Sequence, residues 1–184
     1  MKHQLLFLPL LLIVLLSFQC KKHKSISELD KLPPATQNGA NTFGCIVNGK
    51  AWTPSGFDRN PNFFVTIDPS FANGDISIRT YRIANGVRED FTISSDSVKA
   101  VGMYPISDTS STKPRFQKSS SDLSKQFCEI PYSGIYNRKG YLKITTYDLQ
   151  NGIVSGEFEV SMVNKDCGYG DTIKITNGRF DYKL

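Results

Sequence analysis

One dipeptide constrains this chain more than any other feature. Asn-Gly occurs at Asn38-Gly39, Asn48-Gly49, Asn73-Gly74, Asn85-Gly86, Asn151-Gly152 and Asn177-Gly178. Both residues tolerate positive φ, so Asn-Gly is the strongest short-range signal for a tight hairpin turn. Between these turns lie short runs rich in Ile, Val, Phe, Thr and Tyr. Turns at that density leave little room for helices. The pattern predicts an all-β, antiparallel fold of about 8–10 strands, either a β-sandwich or a partly closed β-barrel.

Residues 42–47 and 50–53 predict a first hairpin over Asn48-Gly49, and residues 62–67 a third strand. Residues 75–83 alternate, with Ile76, Ile78, Thr80 and Arg82 on one face and Ser77, Arg79, Tyr81 and Ile83 on the other. Residues 88–94 return over Asn85-Gly86. The stretch 98–106 is ambiguous, because Gly102 and Pro105 interrupt it. Residues 107–121 are rich in Ser and Thr and predict a loop with a weak edge strand near 115–118. A short strand at 124–130 contains Cys128. Residues 141–148 put Leu142 and Ile144 opposite Tyr141, Lys143, Thr145 and Tyr147. Residues 153–163 turn Val154, Gly156, Phe158, Val160 and Met162 inward and Ser155, Glu157, Glu159 and Ser161 to water.

The last stretch, 171–184, is the most instructive. Ile173 and Ile175 are odd-numbered, whereas Phe180, Tyr182 and Leu184 are even-numbered. A one-residue bulge at Asn177-Gly178 would bring both sets onto one buried face of a single long strand. The competing reading is a hairpin there, which leaves a very short final strand.

The start of the chain reads as an export signal. A short basic opening precedes an apolar run at residues 5–16, too short for a transmembrane helix of about 20 residues. The run ends in Ser17-Phe18-Gln19-Cys20, followed by Lys21-Lys22-His23-Lys24. This junction resembles the lipobox of bacterial lipoproteins, with Leu16 one position early and Gln19 where a small residue is usual. The resemblance implies a signal peptide at 1–19 and acylation of Cys20, which anchors the mature chain in a membrane. Two or more acyl chains anchor stably, at about 0.8 kcal/mol per buried CH₂. Residues 20–40 then read as the lipidated Cys and a flexible tether, spanning roughly 25 Å as a coil. Residues 41–184 read as one all-β domain. The basic tether favours an outer-membrane protein facing the periplasm.

Charge and side-chain inventory narrow the chemistry. From Ala40 onward there are 17 basic and 15 acidic residues, so the basic excess does not point to nucleic acid. After cleavage the single His is His23. A domain without His is expected to lack Ser-His-Asp or Cys-His catalysis and His-ligated metals. Cys45, Cys128 and Cys167 in an oxidising compartment suggest one disulfide and one free thiol. Cys128 and Cys167 are the favoured pair, and Cys45 alternates in register with Phe43 and Val47 as a buried small hydrophobe. Glu157 and Glu159 lie about 7 Å apart on one strand face, a spacing some glycosidases use, but more often a solvated face. Asp166 and Asp171 could approach Ca²⁺ or simply build a turn. Tyr132, Tyr136, Tyr141 and Tyr147 could line a binding face or pad a sheet. No catalytic residue, metal or cofactor is expected.

Leu32-Pro33-Pro34-Ala35-Thr36-Gln37 followed by Asn41-Thr42-Phe43-Gly44-Cys45-Ile46-Val47-Asn48-Gly49-Lys50-Ala51-Trp52 resembles the opening of an uncharacterised Bacteroidetes lipoprotein domain family. Gly156-Glu157-Phe158-Glu159 and the stretch from Asp171 to Asp181 are similar to its C-terminal pair. The resemblance implies a membrane-tethered all-β protein and no particular activity. Three functions are expected to compete. The first is a non-catalytic envelope module that binds a partner or has a structural role. The second is a lipocalin-like carrier of a small apolar ligand, holding it against Val154, Phe158 and Val160. The third is a carboxylate-dependent hydrolase.

Overall fold

A computed structural model describes residues 26–122, 127–164 and 172–184. Among them eleven strands form two antiparallel sheets. They are β1 (Thr42–Val47), β2 (Lys50–Trp52), β3 (Phe63–Asp68), β4 (Asp75–Ala84), β5 (Val87–Ser95), β6 (Gly102–Ser107), β7 (Lys113–Ser120), β8 (Cys128–Ile130), β9 (Lys139–Asp148), β10 (Ile153–Val163) and β11 (Thr172–Lys183). Sheet A has the order β2-β1-β11-β10-β9-β6, and sheet B the order β3-β4-β5-β7-β8. Neither sheet closes on itself, so the architecture is a β-sandwich and not a barrel.

The Asn-Gly turns set the local registers. Asn48 and Gly49 have φ of 46° and 80°, and Asn85 and Gly86 have 52° and 72°. Positive φ at both central residues matches the right-handed twist of the strands they join. The turn at Asn85-Gly86 fixes β4 against β5 so that Arg79 faces Thr92 and Ile78 faces Ile93.

Aromatic rings lock the two sheets together. Phe43 of sheet A lies 5.4 Å from Phe63 of sheet B, and Phe158 of sheet A lies 5.6 Å from Phe91 of sheet B. Phe43 also meets Phe158 at 5.4 Å and Trp52 edge-on at 5.9 Å. Burying each such ring stabilises the fold by about 1.5–3 kcal/mol. Val154, Phe158 and Val160 are all buried in this packed layer. The inward face of β10 was legible from its alternation, and neighbouring side chains pack against it.

The bulge is where the parity flip placed it. β11 is one strand, and Asn177 has a φ of 52°. Phe158 pairs with Gly178 and Val160 with Ile175, so β11 carries one residue more than β10 between those pairs. β1 meets the same extra residue, pairing Gly44 with Arg179 and Ile46 with Thr176. Ile173, Ile175 and Phe180 are consequently buried together.

Four local expectations need correction. The stretch near 115–118 is not a weak edge: β7 lies inside sheet B between β5 and β8. Its Pro114 is tolerated because β8 pairs only with Phe116, Gln117 and Lys118, leaving Pro114 without a partner on that side. The ambiguous 98–106 stretch yields β6 at an edge of sheet A, where Pro105 costs no ladder bond to a further strand. Tyr147 faces the core with Leu142 and Ile144, because the register slips between Ser155 and Gly156 and pushes out one residue of β9. Ser155 does not face water but is fully buried.

The cause of that last burial is the segment expected to be tether. Residues 27–40 lie along sheet A. Glu28 accepts the Ala51 N–H at 2.8 Å, and Arg179 Nε donates to the Pro33 carbonyl at 2.6 Å. The N–H groups of Asn38, Gly39 and Ala40 donate to the Asp181 carboxylate at 3.0, 2.8 and 3.0 Å. Ser155 Oγ donates to the same carboxylate at 2.7 Å. Leu32 is buried, and a Cβ on Gly44 would stand 2.7 Å from Pro33. The folded body therefore begins before Asn41, and this strap covers Ser155.

Candidate functional site

The outer face of sheet B carries a groove of about 680 Å³. Its floor follows from strand registers. Phe64, Arg79, Thr92 and Arg115 stand side by side on β3, β4, β5 and β7. A neighbouring row is Tyr81, Asp90, Gln117 and Glu129. All point away from the core, because side chains alternate along each strand and Ile78, Phe91, Ile93 and Phe116 take the inner face.

One wall is the loop before β3, which contributes Asn60 and Pro61. Tyr81 holds it: the phenol donates to the Asn60 carbonyl at 2.6 Å and accepts the Asp58 N–H at 3.0 Å. The Arg88 guanidinium stacks over Tyr81 at 4.0 Å from the ring centre. Arg88 also donates to Asp90 at 2.7–3.0 Å and pairs with Asp58. The hydrogen bonds to Asp90 raise the pKa of Arg88 further above its usual value. The wall is thus fixed to the sheet by its own hydrogen bonds and ion pairs.

The other wall carries Tyr132, and a chain of hydroxyls ties it to the floor. Ser94 Oγ donates to the Tyr132 oxygen at 3.4 Å and lies 3.0 Å from Ser77 Oγ, which accepts Arg79 Nε at 3.1 Å. Arg115 donates to Glu129 at 2.9 Å. Phe64 and Tyr132 remain 42% and 38% exposed at the rims. A shallow groove with a fixed floor, two aromatic rims and three guanidinium groups can offer stacking surfaces and charged hydrogen bonds.

The four tyrosines singled out in the sequence do not converge. Tyr132 lines the groove, Tyr136 packs against the core beneath Arg138, and Tyr147 packs against the core from β9. Tyr141 stands on β9 opposite Glu159, on the outer face of sheet A. Glu157 and Glu159 also lie on that outer face, where Glu157 reaches Lys143 at 3.2 Å with about half its side chain exposed. Neither lines the groove. Cys45 is free, and burial pushes its thiol pKa far above the usual range. Cys128 is disulfide-bonded. Cys20, Cys167, Asp166 and Asp171 lie outside the described residues.

The arginines of the groove are what sequence reasoning missed. The alternation of residues 75–83 did put Arg79 on the face opposite Ile76 and Ile78, and the Asn85-Gly86 turn implies its pairing with Thr92. Arg115 and Tyr132 join them through contacts between distant parts of the chain, which local pattern does not encode. Compared with known proteins, the chain matches no protein-family model, no curated protein and no solved structure. The site is therefore read from its own geometry.

Proposed function

We propose that the protein is a lipid-anchored component of a bacterial cell envelope whose β-sandwich is a non-catalytic binding module. The groove on the outer face of sheet B is its recognition surface. The reading of the anchor rests on the apolar leader, on Cys20 at its end, and on the resemblance of both ends of the domain to Bacteroidetes lipoproteins. Anchoring through acyl chains on Cys20 at the periplasmic face of the outer membrane is part of the same proposal. The observation that carries the binding role is Arg79. Among the described residues its one side-chain hydrogen bond is to Ser77, and it stands exposed on the groove floor next to Phe64.

The packed core gives a lipocalin-like role no support, because Phe158 is wedged between Phe43 and Phe91. A carboxylate-dependent hydrolase has as little, because Glu157 is paired with Lys143 on an open face.

Two measurements test the proposal. Fractionation of a Cys20→Ala variant is expected to release the protein from membranes, and unchanged partitioning contradicts the anchor. Lipoprotein purified from envelopes is then compared with a Phe64→Ala/Arg79→Ala/Tyr132→Ala variant by mass spectrometry of what co-purifies. Species retained by the wild type and by a Lys143→Ala control, but lost from the groove variant, are expected. Identical profiles contradict the groove's role.

A further inference from the structure

The chemistry of the groove narrows what it recognises. Resting on the groove's assignment as the recognition surface, we propose that it takes a saccharide bearing a carboxylate, a uronate unit. The carboxylate would lie on the Arg79 guanidinium, with sugar rings against Phe64 and Tyr132.

Charge selects the group. Arg88 is committed to Asp90 and Asp58, and Arg115 to Glu129. Arg79 has no acidic partner among the described residues, and its Nε is turned into the floor by Ser77 Oγ at 3.1 Å. The outward edge of its guanidinium is a planar donor fork, which matches a carboxylate bidentately. Three carboxylates, those of Asp58, Asp90 and Glu129, share the region with the three arginines. They neutralise Arg88 and Arg115, so the guanidinium left for a ligand's carboxylate is that of Arg79.

The rims select the scaffold. Phe64 is held edge-on by Tyr182 at 6.1 Å between ring centres and keeps much of its ring open. Tyr132, which follows β8 at the other edge of sheet B, also lines the groove. Such flat, partly wet surfaces suit the C–H face of a sugar ring, while Asp90 and Thr92 on the floor offer acceptors and a donor for ring hydroxyls.

Backbone geometry disfavours an acidic peptide. Extended peptides add to a sheet edge, where main-chain groups are unpaired. The groove runs across the faces of β3, β4, β5 and β7, and Arg79 stands at its middle on β4, whose main-chain groups already pair with β3 and β5.

The test is calorimetric titration of the full-length lipoprotein in detergent. The uronate probes are an oligogalacturonate, an oligomannuronate and a glucuronate-containing oligosaccharide. The comparison probes are the methyl ester of the tightest uronate binder, a dextran sulfate fragment and polyglutamate. At least one uronate is expected to bind, with its methyl ester tenfold or more weaker. Arg79→Gln is expected to abolish that difference, Arg79→Lys to restore part of it, and Tyr132→Ala to weaken acid and ester alike. Unchanged circular dichroism and melting establish that each variant is folded. The proposal is overturned if no uronate binds, if acid and ester bind equally, or if Arg79→Gln changes nothing. Tighter, Arg79-dependent binding of dextran sulfate or polyglutamate also overturns it, while leaving the groove as the recognition surface. If no probe binds, the saccharide assignment fails and the co-purification experiment still decides the role of the groove.

Discussion

Gly178 lies directly across from Phe158, and a Cβ added to it would stand 2.4 Å from the phenyl ring. The glycine sits next to Asn177, whose positive φ makes the bulge. The bulge keeps Ile173 and Ile175 on the same face as Phe180, and the absent side chain lets Phe158 reach Phe43 and Phe91. One dipeptide therefore sets both the register of β11 and the packing between the sheets.

Gly178→Ala should destabilise the fold by about 1–3 kcal/mol through overpacking. Urea unfolding followed by Trp52 fluorescence measures it. Deleting Asn177 should do far more, because removal of one residue turns one half of β11 inside out. Wild-type stability in either variant would show that the bulge does not hold the core register.

Asp181 should make the fold acid-sensitive. Its burial favours the neutral form, but the N–H groups of Ala40 and Gly39 and the Ser155 hydroxyl outweigh that and hold its pKa down to about 2. A depressed carboxyl pKa contributes stability above its unfolded value of about 3.9, lost as pH falls through the folded value. The shift corresponds to about 2–3 kcal/mol, disappearing between about pH 4 and pH 2. Asp181→Asn should remove most of this pH dependence and loosen the strap. A variant with the wild-type acid profile would refute the role.

Trp52 should report on a buried charge. Its indole N–H donates to Glu89 at 2.9 Å, and Arg82 donates to Glu89 at 2.6 Å while lying over the indole ring at 5.4 Å. Glu89→Ala removes the acceptor of both, and loss of one partner from a buried pair costs about 3–5 kcal/mol. The partial exposure of Arg82 puts the expected loss at the lower end of that range. Emission of the folded wild type should be blue-shifted, and a red shift in folded Glu89→Ala would mark the loosened indole. No change in either stability or emission would contradict this.

The cysteines should behave differently from one another. Cys45 should resist thiol reagents in the folded protein and react on unfolding, since burial disfavours its thiolate. The cysteine expected to pair with Cys128 is Cys167. Asn164, three residues before it, donates to the Glu129 carbonyl at 2.7 Å and so brings the end of β10 to β8. Non-reducing peptide mapping should return a Cys128–Cys167 peptide. A Cys20–Cys128 peptide would contradict both this pairing and acylation of Cys20.

Much of the sandwich was legible because local pattern encodes it. The Asn-Gly turns located the β1–β2 and β4–β5 hairpins, and the parity flip around Asn177 located the bulge without any partner strand in view. What failed depended on distant residues. Ser155 reads as solvent-facing by alternation, yet it is buried because residues 38–40 return to Asp181. Tyr147 changes face because β9 slips against β10. The groove shows the same division. Arg79 opposite Thr92 follows from one turn, whereas Phe64, Arg115 and Tyr132 arrive from separate strands and loops.

The most direct measurement of the central claim is arginine labelling in place. Intact envelopes and purified lipoprotein are treated with phenylglyoxal, and modification is quantified residue by residue by mass spectrometry. Arg179, bonded to Pro33 on the other sheet, is the internal control. If the groove is occupied in the envelope, Arg79 is protected there and reactive after purification, while Arg179 does not change. Equal labelling of Arg79 in both preparations would contradict recognition through the outer face of sheet B.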